Sequence, residues 1–369
     1  MKTILMKPLG KIRQLLSADR RQRSNEAVPV AADQSEAQKI SYGKAVLNNG
    51  VLPTNFSIII GAAPCNHTCL FCPQSIEKPK KAVWLDLGLL EKVMSEMPEE
   101  NILLNVASYS ETLAAPSLIP SLRLMKKIRP KLSIAMASNG SLFKESVLQQ
   151  IIDESLVDHY SFSFDAATKN DYATLMQADH YEKTWSHLER LVEMRDQARS
   201  SMKVTTHIMG FKGKEADFEE FKKSWDGKVD AVVWRRVSNW GSDDLGLEAQ
   251  LAREGFVSAH ETPSKRFPCP SIFMHFKLNP EGQYFPCVAA VPAYGKNLVA
   301  PIGNATEISW ADAWERLSQM RQAHLEGRWD DYECCRTCNV WSMWDDMWFE
   351  EVLLDGSSRF FLKDVVHAV

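Results

Sequence analysis

The chain has no apolar run approaching the ~20 residues that a membrane-spanning helix requires, and it has no surplus of either charge. Its 43 Lys and Arg balance 47 Asp and Glu, for a formal net charge of -4. That balance gives no electrostatic reason to expect a nucleic-acid partner. The opening Met1 to Glu26 is basic, but Leu5, Leu9, Ile12, Leu15 and Leu16 are interrupted by charged residues. No continuous signal-peptide core exists there, so residues 1–50 read as a frayed or disordered polar leader on a soluble, cytoplasmic protein. Internal repeats and low-complexity tracts are also missing. Cysteine is missing from one long region: of 8 cysteines, three fall between Cys65 and Cys72, five from Cys269 onward, and none between. Disulfide scaffolds belong to short secreted chains, whereas clustered cysteines in an intracellular enzyme bind metal more often. The distribution implies two metal sites on two lobes.

What is present is a 369-residue chain with 45% hydrophobic residues, enough for one large core and a smaller lobe. From residue 51 to about 240 strand-like and helix-like segments alternate. Strands are expected at Phe56–Ile60, Asn101–Val106, Leu132–Ala137, His159–Phe164, Val204–Met209 and Val229–Arg235. Between them, helices are expected at Asp86–Met97 (with Asp86 as N-cap), Pro116–Ile128, Lys144–Ser155, Tyr181–Ala198 and Ala216–Trp225. Six strands joined by five helices imply parallel strands with right-handed crossovers, in an open sheet or a partial barrel, with working loops at the carboxyl ends of the strands. The pattern breaks near Asn239. Residues 241–268 read as a polar linker, and Ser271–Leu278 and Gln283–Val288 as a hairpin turning at Asn279-Pro280-Glu281-Gly282. A helix at Trp310–His324 and the cysteines of residues 269–340 complete a second lobe. Trp341, Trp344 and Trp348 follow at helical spacing as a packing stripe in the tail, 341–369.

Cys65, Cys69 and Cys72 form C-x3-C-x2-C on a loop directly after the first strand. Three thiolates so spaced converge on one face of a cuboidal cluster and leave its fourth iron open unless a distant cysteine closes it. Structural zinc, a ferredoxin-type cluster and plain buried thiols are the competing readings. Cys269, Cys287 and the C-x2-C pair Cys335 and Cys338 form a second set, which on spacing alone suits zinc as readily as iron–sulfur. Cys334 is the spare, or a substitute for Cys335.

The run Cys65-x3-Cys69-x-Phe71-Cys72 at the end of the first of six strands resembles the radical S-adenosylmethionine (SAM) superfamily. The resemblance covers about residues 56–236. It implies an α/β fold, a partial (β/α)6 TIM-like barrel with a smaller C-terminal auxiliary-cluster lobe. It also implies a 4Fe–4S cluster whose open iron binds SAM, reductive cleavage to a 5′-deoxyadenosyl radical, and hydrogen abstraction from a substrate.

Cofactor-binding positions carried over are Phe71, Glu111 (where the family has Gly-Gly-Glu-Pro), Ser138 and Asn139 (Thr-Asn-Gly), and Ser163 and Asp165. Where the family often places an arginine for the methionine carboxylate, this chain has Met176. The second cysteine set resembles the short, one-cluster version of the family's SPASM/twitch extension, implying a second 4Fe–4S cluster. Four protein ligands leave that cluster no open iron, so it moves electrons. The same architecture occurs in the aminocyclitol alcohol dehydrogenase branch. The expected activity is therefore a radical SAM oxidoreductase acting on a hydroxyl-bearing small molecule, with flavodoxin or ferredoxin as reductant. His207 and Arg235, at the ends of the fifth and sixth strands, are candidate substrate-pocket residues. The alternatives are a peptide-modifying maturase, for which the leader looks too short to hold a peptide-binding domain, and a non-enzymatic iron–sulfur or zinc protein.

Overall fold

The computed structural model describes residues 7–8, 52–98, 102–241, 246–289, 299–352 and 358–362. The expected leader, residues 7–8 apart, and the side chains of Trp344 and Trp348 lie outside them.

A mixed α/β architecture is built on one open, twisted sheet. Six strands run in chain order and pair in parallel: β1 (Asn55–Ala62), β3 (Leu103–Tyr109), β4 (Ile134–Ser138), β5 (His159–Asp165), β6 (Lys203–Met209) and β7 (Ala231–Arg235). Short β2 (Val83–Trp84) lies antiparallel on β1. All six expected strands are present, and the sheet does not close: this is a partial barrel. β1 reads as a nearly continuous apolar run because both of its faces are covered, as parallel strands require.

Helices cross over between the strands: α1 (Leu87–Glu96), α2 (Leu118–Ile128), α3 (Glu145–Asp153), α5 (Tyr181–Gln197) and α6 (Glu215–Trp225). Asp86 caps α1 by accepting from the Leu89 amide at 2.9 Å. Two helices were not expected. α4 (Lys169–Met176) starts at Thr168, whose side chain accepts from the Asp171 amide, and α7 (Leu247–Arg253) lies inside the segment read as a linker. Both are about two turns long, too short for a strong apolar period to show in sequence.

The C-terminal segment departs further from expectation. Ser271–Met274 is one helical turn, α8, and only His275–Leu278 is strand, β8. β8 and β9 (Gln283–Phe285) form the hairpin, with Gly282 at a φ of 80° in its turn. Trp310–His324 is two helices, α9 (Trp310–Arg316) and α10 (Ser318–Leu325), hinged at Leu317. α9 starts in a capping box of Ser309 and Asp312.

The hairpin also joins the main sheet. β8 pairs in parallel with β1, Asn55 opposite His275 and Ile58 opposite Leu278, so the sheet runs β10 (Gly303–Asn304), β9, β8, β1, β3, β4, β5, β6, β7. The exposed edge that β1 would otherwise present is thereby paired. Phe276 of β8 sits at this seam, fully buried, with its ring 4.6 Å from Phe56, 5.2 Å from Trp310 and 5.5 Å from Trp314.

Phe276→Ala removes this ring from a close-packed site and should cost ~3–5 kcal/mol of stability. Denaturant unfolding of the variant checks it. A loss well under 1 kcal/mol would mean that the seam is not part of the cooperative core.

Candidate active site

The loop that follows β1 carries Cys65, Cys69 and Cys72, and it is pinned from four sides. Gln74 Oε1 accepts from the Cys65 amide at 3.0 Å, and Gln74 Nε2 donates to the Tyr109 carbonyl at the end of β3. The Leu70 amide donates to the Leu175 carbonyl in α4 at 2.8 Å. Trp240 Nε1 donates to the Phe71 carbonyl at 2.7 Å, and Gln250 of α7 donates to the Leu70 carbonyl at 3.0 Å. Gln74, Trp240 and Gln250 carried no sequence signal, because their partners are main-chain atoms that only the fold brings near.

The three thiols lie within one another's electrostatic reach. Burial is the main cause that raises all three, Cys72 up to about 11 and Cys69 well above the ordinary thiol value. Buried thiols ionise only when a cation compensates them. The donors are all soft sulfur, as an iron–sulfur cluster demands. Among the described residues no group of three or more His, Cys, Asp or Glu closes round a single metal ion. A cuboidal cluster takes its thiolates at separate corners, and the loop fits it.

Glu111, Ser138 and Asn139 meet beside this loop. Glu111 is 2% exposed and accepts from Ser138 Oγ at 2.5 Å, the Asn139 amide at 2.8 Å and the Leu113 amide at 2.9 Å. Its carboxyl is raised by burial, which those three donors oppose. Asn139 Nδ2 in turn donates to Asn66 Oδ1 in the cysteine loop at 3.1 Å. The next residue, Gly140, has a φ of 67°, and a Cβ on it would sit 1.9 Å from the Phe162 ring. Glycine is thus required for conformation and for space. Met176 is buried at the end of α4.

Across the mouth of the sheet, Phe71, Ser163, Asp165, His207, Arg235 and Val288 are among the residues lining a cavity of about 530 Å3. Asp165 ends β5 at a φ of 66°, where the register with β6 shifts. A non-glycine residue held there is a recurrent mark of functional sites. His207 Nε2 lies 2.9 Å from Asp165 Oδ1 and 3.0 Å from Arg235 Nη1. That nitrogen donates to Asp165 when it carries a proton and accepts from Arg235 when it does not. Burial is the main cause that lowers the His207 imidazole below its ordinary value, with Asp165 raising and Arg235 lowering it.

The second cysteine set surrounds a much smaller cavity of about 20 Å3, lined by Cys269, Cys287, Cys334, Cys335 and Cys338 together with Arg266 and His324. Cys334 and Cys335 have their sulfurs 3.9 Å apart, so the spare thiol sits in the same wall as the other four. Burial pushes Cys338 up to about 12 and Cys269 well up. Apart from the His324 imidazole, the metal donors among these lining side chains are sulfur. Trp341 packs edge-on against Phe267, ring centroids 4.8 Å apart, and lines the same cavity.

Cys69→Ala should halve the iron bound after anaerobic reconstitution, from about eight to about four per chain, leaving the second set loaded. Iron and acid-labile sulfide assays read this directly. Equal loss from both sites would contradict two independent clusters.

Comparison with known proteins follows this geometry. Residues 60–224 match the radical SAM superfamily, and residues 269–339 match an iron–sulfur cluster-binding domain, SPASM. No curated protein matches the sequence significantly. Among solved structures, BtrN in complex with AdoMet and 2-DOIA aligns with a TM-score of 0.52 at 18% identity, covering 78% of this chain and 94% of that one. SuiB of Streptococcus suis, bound to precursor peptide SuiA, aligns with a TM-score of 0.56 at 12% identity, covering 83% and 74%. The enzyme anSMEcpe with bound AdoMet aligns with a TM-score of 0.52 at 13% identity, covering 78% and 89%. These likenesses establish a shared fold. The two family matches imply a catalytic and an auxiliary 4Fe–4S cluster together with SAM. Among the described residues no helix is long and apolar enough to cross a membrane. The chain is a radical SAM enzyme with a C-terminal SPASM iron–sulfur cluster-binding domain.

Proposed function

We propose that this enzyme oxidises an alcohol carbon of a small polyol, sugar or aminocyclitol to a carbonyl. The observation that carries the reading is the cavity of about 530 Å3, which reaches from Phe71 on the cysteine loop to Val288 beside Cys287 and has a carboxylate, an imidazole and a guanidinium in its wall. Related folds hold either a small molecule, as in BtrN with 2-DOIA, or a peptide, as in SuiB with SuiA, so fold alone does not choose. A proton-accepting imidazole set between the two cysteine sites favours alcohol oxidation.

In this reading Cys65, Cys69 and Cys72 hold the catalytic cluster, and Cys269, Cys287, Cys335 and Cys338 the auxiliary one. Phe71, Glu111, Ser138, Asn139, Ser163 and Asp165 face SAM. The chain divides into leader (1–50), barrel (51–240), linker (241–268), auxiliary-cluster lobe (269–340) and tail (341–369). It works in the cytoplasm with flavodoxin or ferredoxin as reductant.

When bound, the catalytic cluster and SAM supply a 5′-deoxyadenosyl radical that takes one hydrogen atom from the carbinol carbon. The rest of the oxidation removes one proton and one electron. His207 Nε2, held by Arg235, accepts the hydroxyl proton and shares it with Asp165 Oδ1. A cluster held by Cys269, Cys287, Cys335 and Cys338 would supply the acceptor for that electron, with Val288, the residue after Cys287, in the cavity wall. Trp234, Trp240, Met209 and Val340 line the same cavity and exclude water.

Anaerobic protein incubated with dithionite, SAM and a panel of polyols, sugars and aminocyclitols should release 5′-deoxyadenosine and a carbonyl product in equal amounts. 5′-Deoxyadenosine without any carbonyl, or modification of peptides alone, would overturn the reading.

His207→Gln should lower kcat/KM by about 10²-fold, the usual share of a general base. The neutral imidazole is the competent form, and its folded value lies below the ordinary 6.5. Activity should therefore fall on the acid side, through a limb below that pH. Arg235→Met removes a charge that lowers His207 and should move the limb up; Asp165→Asn removes a charge that raises it and should move the limb down. A pH–rate profile in which both variants move the limb the same way would rule out His207 as the group.

A further inference from the structure

Among the described residues, two buried nitrogen atoms of residues lining the five-cysteine cavity have no hydrogen-bond partner: Nε of Arg266 and Nε2 of His324. Buried polar groups are nearly always satisfied, and an orphaned donor is costly. Both side chains are held rigidly. The terminal nitrogens of Arg266 donate to the carbonyls of Cys335 and Arg336, the latter at 3.2 Å. Its guanidinium lies over two indoles, 5.0 Å from the Trp329 centroid and 5.6 Å from that of Trp341. The Cys269 amide donates to His324 Nδ1 at 3.2 Å, so in the neutral ring the proton sits on Nε2. Two N–H donors are thus fixed by main-chain bonds to residues of the cysteine set, in the lining of a cavity that also holds five cysteines.

We propose that Arg266 Nε–H and His324 Nε2–H donate hydrogen bonds to sulfur atoms of the auxiliary cluster and raise its reduction potential, making it a better electron acceptor. Reduction adds one negative charge to the cluster. Donors to its sulfurs, and a nearby guanidinium charge, stabilise the reduced form more than the oxidised one. Arg266 contributes a charge and a donor, and His324 a donor alone. Both are positioning residues that act through the cluster. The inference rests on the reading that Cys269, Cys287, Cys335 and Cys338 hold a 4Fe–4S cluster.

The test is an EPR-monitored redox titration of the full chain, reconstituted anaerobically, as wild type, Arg266→Met, Arg266→Lys and His324→Phe, with iron content measured on each. In Arg266→Met and His324→Phe the auxiliary couple should become harder to reduce by about tenfold each, which for one electron is ~59 mV. Arg266→Lys, which keeps the charge but not the Nε donor, should fall by less than Arg266→Met. The catalytic cluster is the internal control, and its potential should stay in place throughout. An unmoved auxiliary potential in Met and Phe variants that keep their iron overturns the proposal. So does loss of the auxiliary iron from both, which would make the two residues structural clamps. A wild type that binds only about four irons would refute the underlying cluster reading instead, and iron analysis shows that before any variant is made.

Discussion

β1 is hydrogen-bonded on both edges, to β3 on one side and to β8 on the other, and the two cysteine sites depend on that double pairing. The strand's carboxyl end delivers the loop of Cys65, Cys69 and Cys72. The hairpin begun by β8 delivers Cys287, while Cys269 lies just before it. Because strands in a sheet keep a fixed separation of ~4.8 Å, the two sets of thiols are held at a set distance by main-chain bonds and not by a flexible hinge. Lys277 of β8 marks the seam chemically. Its ammonium is buried, donates to the Val288 carbonyl at 2.9 Å, and lies 5.6 Å from the Tyr109 ring at the end of β3. Burial pushes it down to about 7. One side chain therefore ties the residue after Cys287 to the strand that presents Glu111.

Electrostatics explains why the surroundings of each thiol set look as they do. A sulfur buried away from water keeps its proton unless something positive compensates it, and both sets are buried enough to need that compensation. At the first set Asp165 raises Cys69 and Cys72 further and Glu111 raises Cys65, opposed only by main-chain donors and, at Cys65, by Lys78. At the second set the protein contributes as well, through Arg266, whose charge favours the thiolate form of Cys269 and Cys338. The two sites share a ligand chemistry but not an environment.

Between them, Asp165, His207 and Arg235 make a compact acid–base group at the strand ends. The left-handed backbone at Asp165 turns its carboxylate back toward β6 instead of outward along β5. A local strain of order 1–3 kcal/mol is repaid by the bond to His207 and by the surrounding core. The surrounding aromatic packing, with Phe164 against Tyr172, Tyr181, Trp185 and Phe221, holds that corner of the sheet rigid.

By itself the amino-acid sequence determined most of what depends on local order. The six strands and their parallel sense were legible, since apolar runs and intervening helical periods are written residue by residue. So were the helix start at Asp86, the turn before Gly282, and the cysteine spacings, because three thiols within eight positions on one loop have few ways to be arranged. Tertiary structure decided what depends on distant segments meeting. The docking of β8 onto β1 joined two expected lobes into one sheet. The clasp of Trp240 and Gln250 on the cysteine loop, the shared wall of all five late cysteines, and the pairing of Asp165 with His207 and Arg235 arose in the same way. The short helices α4 and α7 were missed because two turns give too few residues for a period to rise above chance. Arg266 and His324 left no trace in the sequence because a hydrogen-bond donor is defined by what stands opposite it, and only folding sets that.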